Sequence, residues 1–122
     1  MNVQGISWMG VRSKQYDALR HLLRDVMGIN VSHDAGDVTW FSLPGGEEIQ
    51  IYDESDTDHT FFGTAPVIGF LVDDFDLAKA EMEAAGVAFI GSGDATRERR
   101  WQHFRGPDGN VYEIMGPSAV TP

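Results

Sequence analysis

The feature that most constrains this chain is a repeat carried by spacing rather than by identity. Pro44, Gly46, Gln50 and Ile51 in "LPGGEEIQIYD" stand 63 positions before Pro107, Gly109, Glu113 and Ile114 in "GPDGNVYEIMG". Gly28 stands 58 positions before Gly86, and the difference of five is one insertion around "GSGDATRE". Ahead of each of these glycines lies an apolar stripe: Tyr16, Leu19, Leu23 and Val26, then Phe75, Ala78, Met82 and Ala85. Apolar residues three and four apart line one face of a helix, and a following glycine ends it in the left-handed region. Ser13, and Asp73 or Asp74, are the candidate N-caps. Strand-like runs precede the helices at 5–12 and 66–72, and three more follow each, at about 29–34, 37–43 and 47–52, then 87–90, 97–105 and 110–115. The pattern predicts one α+β domain over 1–122, built from two tandem β-α-β-β-β modules of mixed sheet. Module 1 covers about 1–52, residues 53–65 link, and module 2 covers about 66–118.

This arrangement, with "LRDVMGINV", "FLVDDFDLA" and above all "FRGPDGNVYEIMG", resembles the vicinal-oxygen-chelate superfamily of glyoxalases, bleomycin-resistance proteins and extradiol dioxygenases. The resemblance covers nearly the whole chain. It implies that each module forms a curved four-stranded sheet with its helix outside and a ligand inside the cup. It also implies a homodimer, since cups of this family are often completed by a second chain. The fold alone does not name an activity.

Strand alternation sorts the side chains by face. Ile49, Ile51, Ile68, Phe70, Val72, Met9 and Val11 fall on the helix side, which leaves the opposite faces for the cup. A three-residue turn at Pro107-Asp108-Gly109 sets His103 opposite Glu113, with Trp101 and Arg105 on the same face. A turn one residue longer would bring in Gln102 and Phe104 instead, because a one-step slip flips every side chain. By the duplication Trp40 corresponds to His103. The inward, ligand-binding set is therefore Trp8, Trp40, Gln50, Tyr52, Trp101, His103 and Glu113, with Gly10 and Arg12 beside them. Three indoles on inward positions make either a pocket for a flat ligand or a well-filled core. Glu113, set among Val111, Ile114 and Met115, is costly to bury unless it is paired. Three uses fit it: a hydrogen-bonded network with His103, Gln50 or Arg105, a contact to a ligand amine or hydroxyl, or acid–base catalysis with His103.

The metal-dependent members of the family take ligands from the first and last strand of each half. Those places hold Trp8, Gln50, Val67 and Glu113. Indole and isopropyl groups offer a cation nothing, Gln50 has a neutral carbonyl oxygen, and only Glu113 is a strong ligand. His103 lies on a strand that supplies no ligand in the family pattern. No metal and no cofactor are therefore expected.

Composition narrows the rest. The absence of cysteine excludes disulfides, thiolate metal sites and a cysteine nucleophile. A formal charge of −10 argues against nucleic-acid and anionic-membrane partners. No apolar run reaches the ~18 residues of a membrane span, and no signal peptide is visible, so a cytoplasmic protein is expected. "DESDTDH" lacks the glycine and closing glutamate of a calcium loop and reads as a solvated acidic linker. "GSGDAT" is short of a dinucleotide fingerprint, "SHD" at 32–34 is a hairpin end, and "RERR" at 97–100 is an edge or interface feature. His21 and His59 read as solvated. The combined expectation is a metal-independent binder of a flat or amphipathic small molecule, cations included, close in character to the bleomycin-resistance branch. Sequestering a toxic compound such as an antibiotic is one use of such a cup. The alternative is a family enzyme (lyase, isomerase or dioxygenase-like) using Glu113 and His103, with or without a divalent metal.

Overall fold

A computed structural model describes residues 1–118. The elements follow the duplicated order: β1 (Val3–Ser13), α1 (Tyr16–His21) running into a π-helical turn (Leu22–Val26), β2 (Asn30–Asp34), β3 (Val38–Ser42) and β4 (Glu48–Asp53). The second copy is β5 (Val67–Val72), α2 (Phe75–Ala84), β6 (Ala88–Ala95), β7 (Arg100–Arg105) and β8 (Val111–Gly116). The fold is therefore α+β with mixed sheet, as the spacing predicts. Among the described residues two compact units emerge: Trp8–Val67, and Met1–Ser7 together with residues 68–118.

In the unit of residues 8–67 the strand order is β2-β3-β4-β1. β1 and β4 are parallel, with Gly10 beside Gln50, and β3 and β4 are antiparallel, with Trp40 opposite Gln50. Tyr16, Leu23, Phe41 and Ile51 form its core, with Val11, Leu19 and Ile49 packed on them. The helix departs from the expected continuous α-helix. Gln15, not Ser13, is the N-cap, and the Ser13 hydroxyl accepts from the Gln15 backbone N–H at 2.9 Å. After His21 the chain widens into a π turn, with Met27 N–H donating to Leu22 O. One extra residue per turn shifts the stripe. Leu23 stays in the core while Val26 is 66% exposed, so Val26 is not a core residue. Gly28 ends the turn at φ 67, the left-handed stop that its position predicts.

The other unit carries the order β5-β8-β7-β6. β5 and β8 are parallel with Gly69 beside Glu113, and β7 and β8 are antiparallel. α2 is regular: the Asp74 carboxylate caps the Leu77 N–H at 3.1 Å and Gly86 ends it at φ 90. Val72, Phe75, Ala78 and Ile114 are its core, covered by Phe70, Met82, Phe89 and Phe104. Ala85, at the end of the stripe, is exposed. β6 extends beyond the expected 87–90 because the insertion is accommodated as a bulge between Ile90 and Asp94.

Candidate functional site

The turn between β7 and β8 sets the register of the site. Gly106 N–H donates to Asn110 O at 2.8 Å, Gly109 N–H donates to Gly106 O at 3.0 Å, and Gly109 sits at φ 83. Asp108 holds the turn from its side chain, accepting from the Asn110 backbone N–H at 3.1 Å and from the Tyr112 hydroxyl at 2.7 Å. That hydroxyl, first, and the Asn110 donors keep the Asp108 carboxyl below the usual carboxylate range. The register is the one the three-residue turn predicts: Arg105 opposite Val111, His103 opposite Glu113, Trp101 opposite Met115.

His103 and Glu113 are thereby brought together. Nε2 of His103 lies 3.3 Å from Oε2 of Glu113, with the imidazole 16% and the carboxylate 4% exposed. Gly69, Glu113's neighbour on β5, adds no side chain beside the acid. Trp101 is half-buried, opposite a Met115 whose sulfur lies 3.3 Å from Arg99 Nη1. Arg105, a candidate partner for Glu113, instead donates to the Gly109 carbonyl at 2.8 Å. Gln102, on the opposite face, is fully buried and donates to the Gly91 carbonyl at 2.6 Å, which ties down the β6 bulge.

The unit of residues 8–67 assembles its own set. Trp8 is 5% exposed, and its indole lies along β1 over Gly10, where an added Cβ would come 2.1 Å from the ring. Phe62 meets that indole edge-on at 6.2 Å. Tyr52, 3% exposed, donates its hydroxyl to Gln50 Oε1. Trp40 shares the Gln50 face but is 40% exposed and leans on His33 at 4.8 Å. Of the three indoles, then, Trp8 is buried, Trp101 is half-buried and Trp40 lies at the surface.

The structure corrects two expectations. Within the expected solvated acidic stretch 53–59, Glu54, Ser55, Thr57 and Asp58 are exposed, but Asp56 is 8% exposed and accepts from both the backbone N–H and Nδ1 of His59 at 2.9 Å. His59 is not solvated either, since its ring stacks on Tyr52 at 3.9 Å. Arg12 Nε and Nη2 donate to the Asp56 and Glu54 carbonyls at 3.1 and 2.6 Å and pin the segment down. The missed signal is the aromatic pair Phe61-Phe62 directly after an acidic run, which solvation alone does not explain. His21 is exposed as expected and pairs with Asp25 at 2.9 Å. Arg24, more than His21, lowers the Asp25 carboxyl to about 2.

The donor set of the family's metal positions does not fit a divalent cation. Trp8 and Val67 have nothing to give, and the Gln50 carbonyl oxygen accepts the Tyr52 hydroxyl. Among the described residues no three histidine, aspartate or glutamate side chains converge as a metal-binding group.

The family model described as Glyoxalase/Bleomycin resistance protein/Dioxygenase superfamily matches residues 5–114. No curated protein matches the chain. Among solved structures, methylmalonyl-CoA epimerase from Mycobacterium tuberculosis is 20% identical, with a TM-score of 0.67 over 94% of this chain and 89% of that one. The Mn(II)-bound glyoxalase from Novosphingobium aromaticivorans is 23% identical, with a TM-score of 0.74 over 93% of this chain and 39% of that one. A glyoxalase/bleomycin resistance protein/dioxygenase superfamily member from Vibrio splendidus 12B01 is 12% identical, with a TM-score of 0.67 over 94% and 99%. At these identities the likeness shows the fold. Among the described residues no helix is long and apolar enough to cross a membrane.

Proposed function

We propose, from the premise that the chain belongs to the Glyoxalase/Bleomycin resistance protein/Dioxygenase superfamily, that it binds a flat or amphipathic small molecule without a metal, with Glu113 and His103 as the polar anchor. The observation that carries this reading is the 3.3 Å pair with its carboxylate 4% exposed. A carboxylate buried to that degree needs compensating charge or hydrogen bonds. His103 supplies a cation when protonated, and the pair offers a ligand both an acceptor and a donor. Gly69 keeps bulk away from the acid. The remaining proposed ligand residues are taken unit by unit: Trp101 offers indole surface in the unit of Glu113 and His103, while in the unit of residues 8–67 Trp40 offers indole surface and Gln50 an amide, with Trp8 and Tyr52 supporting them. A homodimer belongs to the same reading.

Titrating the full chain with a panel of aromatic amines, alcohols and acids while following tryptophan fluorescence tests it. Saturable binding is expected, weakened roughly ten- to a hundredfold by Glu113→Gln, the weight of a hydrogen bond to a charged group. Equal affinity in wild type and variant would overturn the anchor role.

A second reading has its own support. An acid and an imidazole 3.3 Å apart also suit proton transfer, and several structural neighbours are methylmalonyl-CoA epimerases. On that reading the protein is a metal-free isomerase. Glu113→Gln would then abolish turnover and leave affinity largely intact, the reverse split from a pure binder.

A further inference from the structure

Segment 53–62 is built in more detail than a connection needs. Arg12 pins its backbone at two carbonyls, Asp56 turns a nearly buried carboxylate onto His59, and His59 lies flat against Tyr52 with 17° between the rings. Phe62 closes the group, edge-on to Tyr52 at 6.0 Å and 5.1 Å from His59. The chain of contacts ends where the Tyr52 hydroxyl meets Gln50 Oε1. Gln50 occupies in β4 the place that Glu113 holds in β8, since both face a glycine of the parallel neighbour. An amide there can turn either its oxygen or its NH2 group outward, and the two choices select opposite ligand chemistry. With Oε1 already accepting from a hydroxyl on a ring held by stacking, one acceptor lone pair of the half-buried amide is used and both donors of its NH2 group remain to offer.

We propose that segment 53–62 is a positioning device for Gln50: Asp56 orients His59, His59 holds Tyr52, and Tyr52 binds the Gln50 carbonyl oxygen, so that the amide favours an acceptor oxygen, a carboxylate or carbonyl, over a cation. This extends the proposed binding function by naming one ligand group. His59 and Asp56 are positioning residues and touch no ligand in this scheme. Aspartate fixing an imidazole that in turn sets a binding group follows the logic by which outer groups orient metal and catalytic ligands.

The test is the Gln50 side-chain NH2 signal in nitrogen-15 spectra of the ligand-free full chain, assigned by its loss in Gln50→Met. Tyr52→Phe keeps the ring and removes the hydroxyl, and is expected to shift that signal. His59→Leu is expected to broaden it by loosening the ring, and His59→Phe, which restores the stack, to sharpen it again. Benzoate and benzylamine are the ligand probes: benzoate should move the Gln50 signal and benzylamine should not. Tyr52→Phe should cost the preference for benzoate roughly tenfold, the scale of one hydrogen bond. A Gln50 signal indifferent to Tyr52→Phe, one that ignores benzoate, or one that benzylamine moves equally would each overturn the proposal. The ligand-free arm does not involve Glu113, so a failed binding function and a failed positioning device give different results.

Discussion

The two modules place different chemistry in one backbone slot. Each slot is made by a glycine on the first strand, a polar residue on the last and a larger residue opposite it: Gly10, Gln50 and Trp40 in one, Gly69, Glu113 and His103 in the other. The first holds a neutral amide engaged by Tyr52, and its glycine is covered by the Trp8 indole. The second holds an acid beside an imidazole. The turns differ likewise. Asp108 and Tyr112 brace one, while the matched positions in the other are Gly45 and Ile49, which carry no such bond. Duplication has kept register and turn geometry, because a one-residue slip would invert every face, and has left the polar chemistry free to diverge.

The contrast can be broken at several points, taken from the largest expected effect to the smallest. Trp8→Ala should destabilise the protein by about 3–5 kcal/mol in urea unfolding, the cost of removing a large buried aromatic. A cost below ~1 kcal/mol would mean that the indole is not the packing of its module. Exchanging the two opposite residues comes next. His103→Leu removes the imidazole 3.3 Å from the nearly buried Glu113 carboxylate and should cost about 3 kcal/mol, whereas Trp40→Leu at a 40% exposed site should cost under ~1 kcal/mol. Equal costs would erase the proposed difference between the slots. Gly10→Ala places a methyl where the Trp8 ring lies and should destabilise by about 1–3 kcal/mol.

The smallest effect is at the turn. Asp108 has its carboxyl lowered on folding, so its contribution is present above the unfolded carboxylate pKa and is lost as pH falls through the lower folded value. Tyr112→Phe removes the leading cause. An NMR titration of the variant should show Asp108 protonating at higher pH than in wild type, so that the loss begins earlier on acidification. An unchanged titration would show that the tyrosine bond is not what holds the carboxyl down.

Much of the fold and part of the site are legible in the sequence, for identifiable reasons. Pro107-Asp108-Gly109 fixes a turn length, the turn length fixes a register, and the register puts His103 opposite Glu113 without any tertiary information. Gly28 and Gly86 mark helix ends because few other residues tolerate their backbone angles. The π turn escapes because the expected stripe assumes 3.6 residues per turn, and Leu23 keeps its place only by widening the helix. The Asp56–His59–Tyr52 assembly escapes because it depends on Arg12, 44 residues away, closing the segment. The role of Trp8 is half legible: Gly10, two residues on along the same strand face, leaves the space that the indole fills.

Native mass spectrometry of the gently purified full chain, beside its Glu113→Gln variant, tests the central claim most directly. The account predicts an organic adduct on wild type, absent from the variant, with no stoichiometric divalent cation in either. A divalent cation bound one per chain in wild type and lost in Glu113→Gln would contradict it.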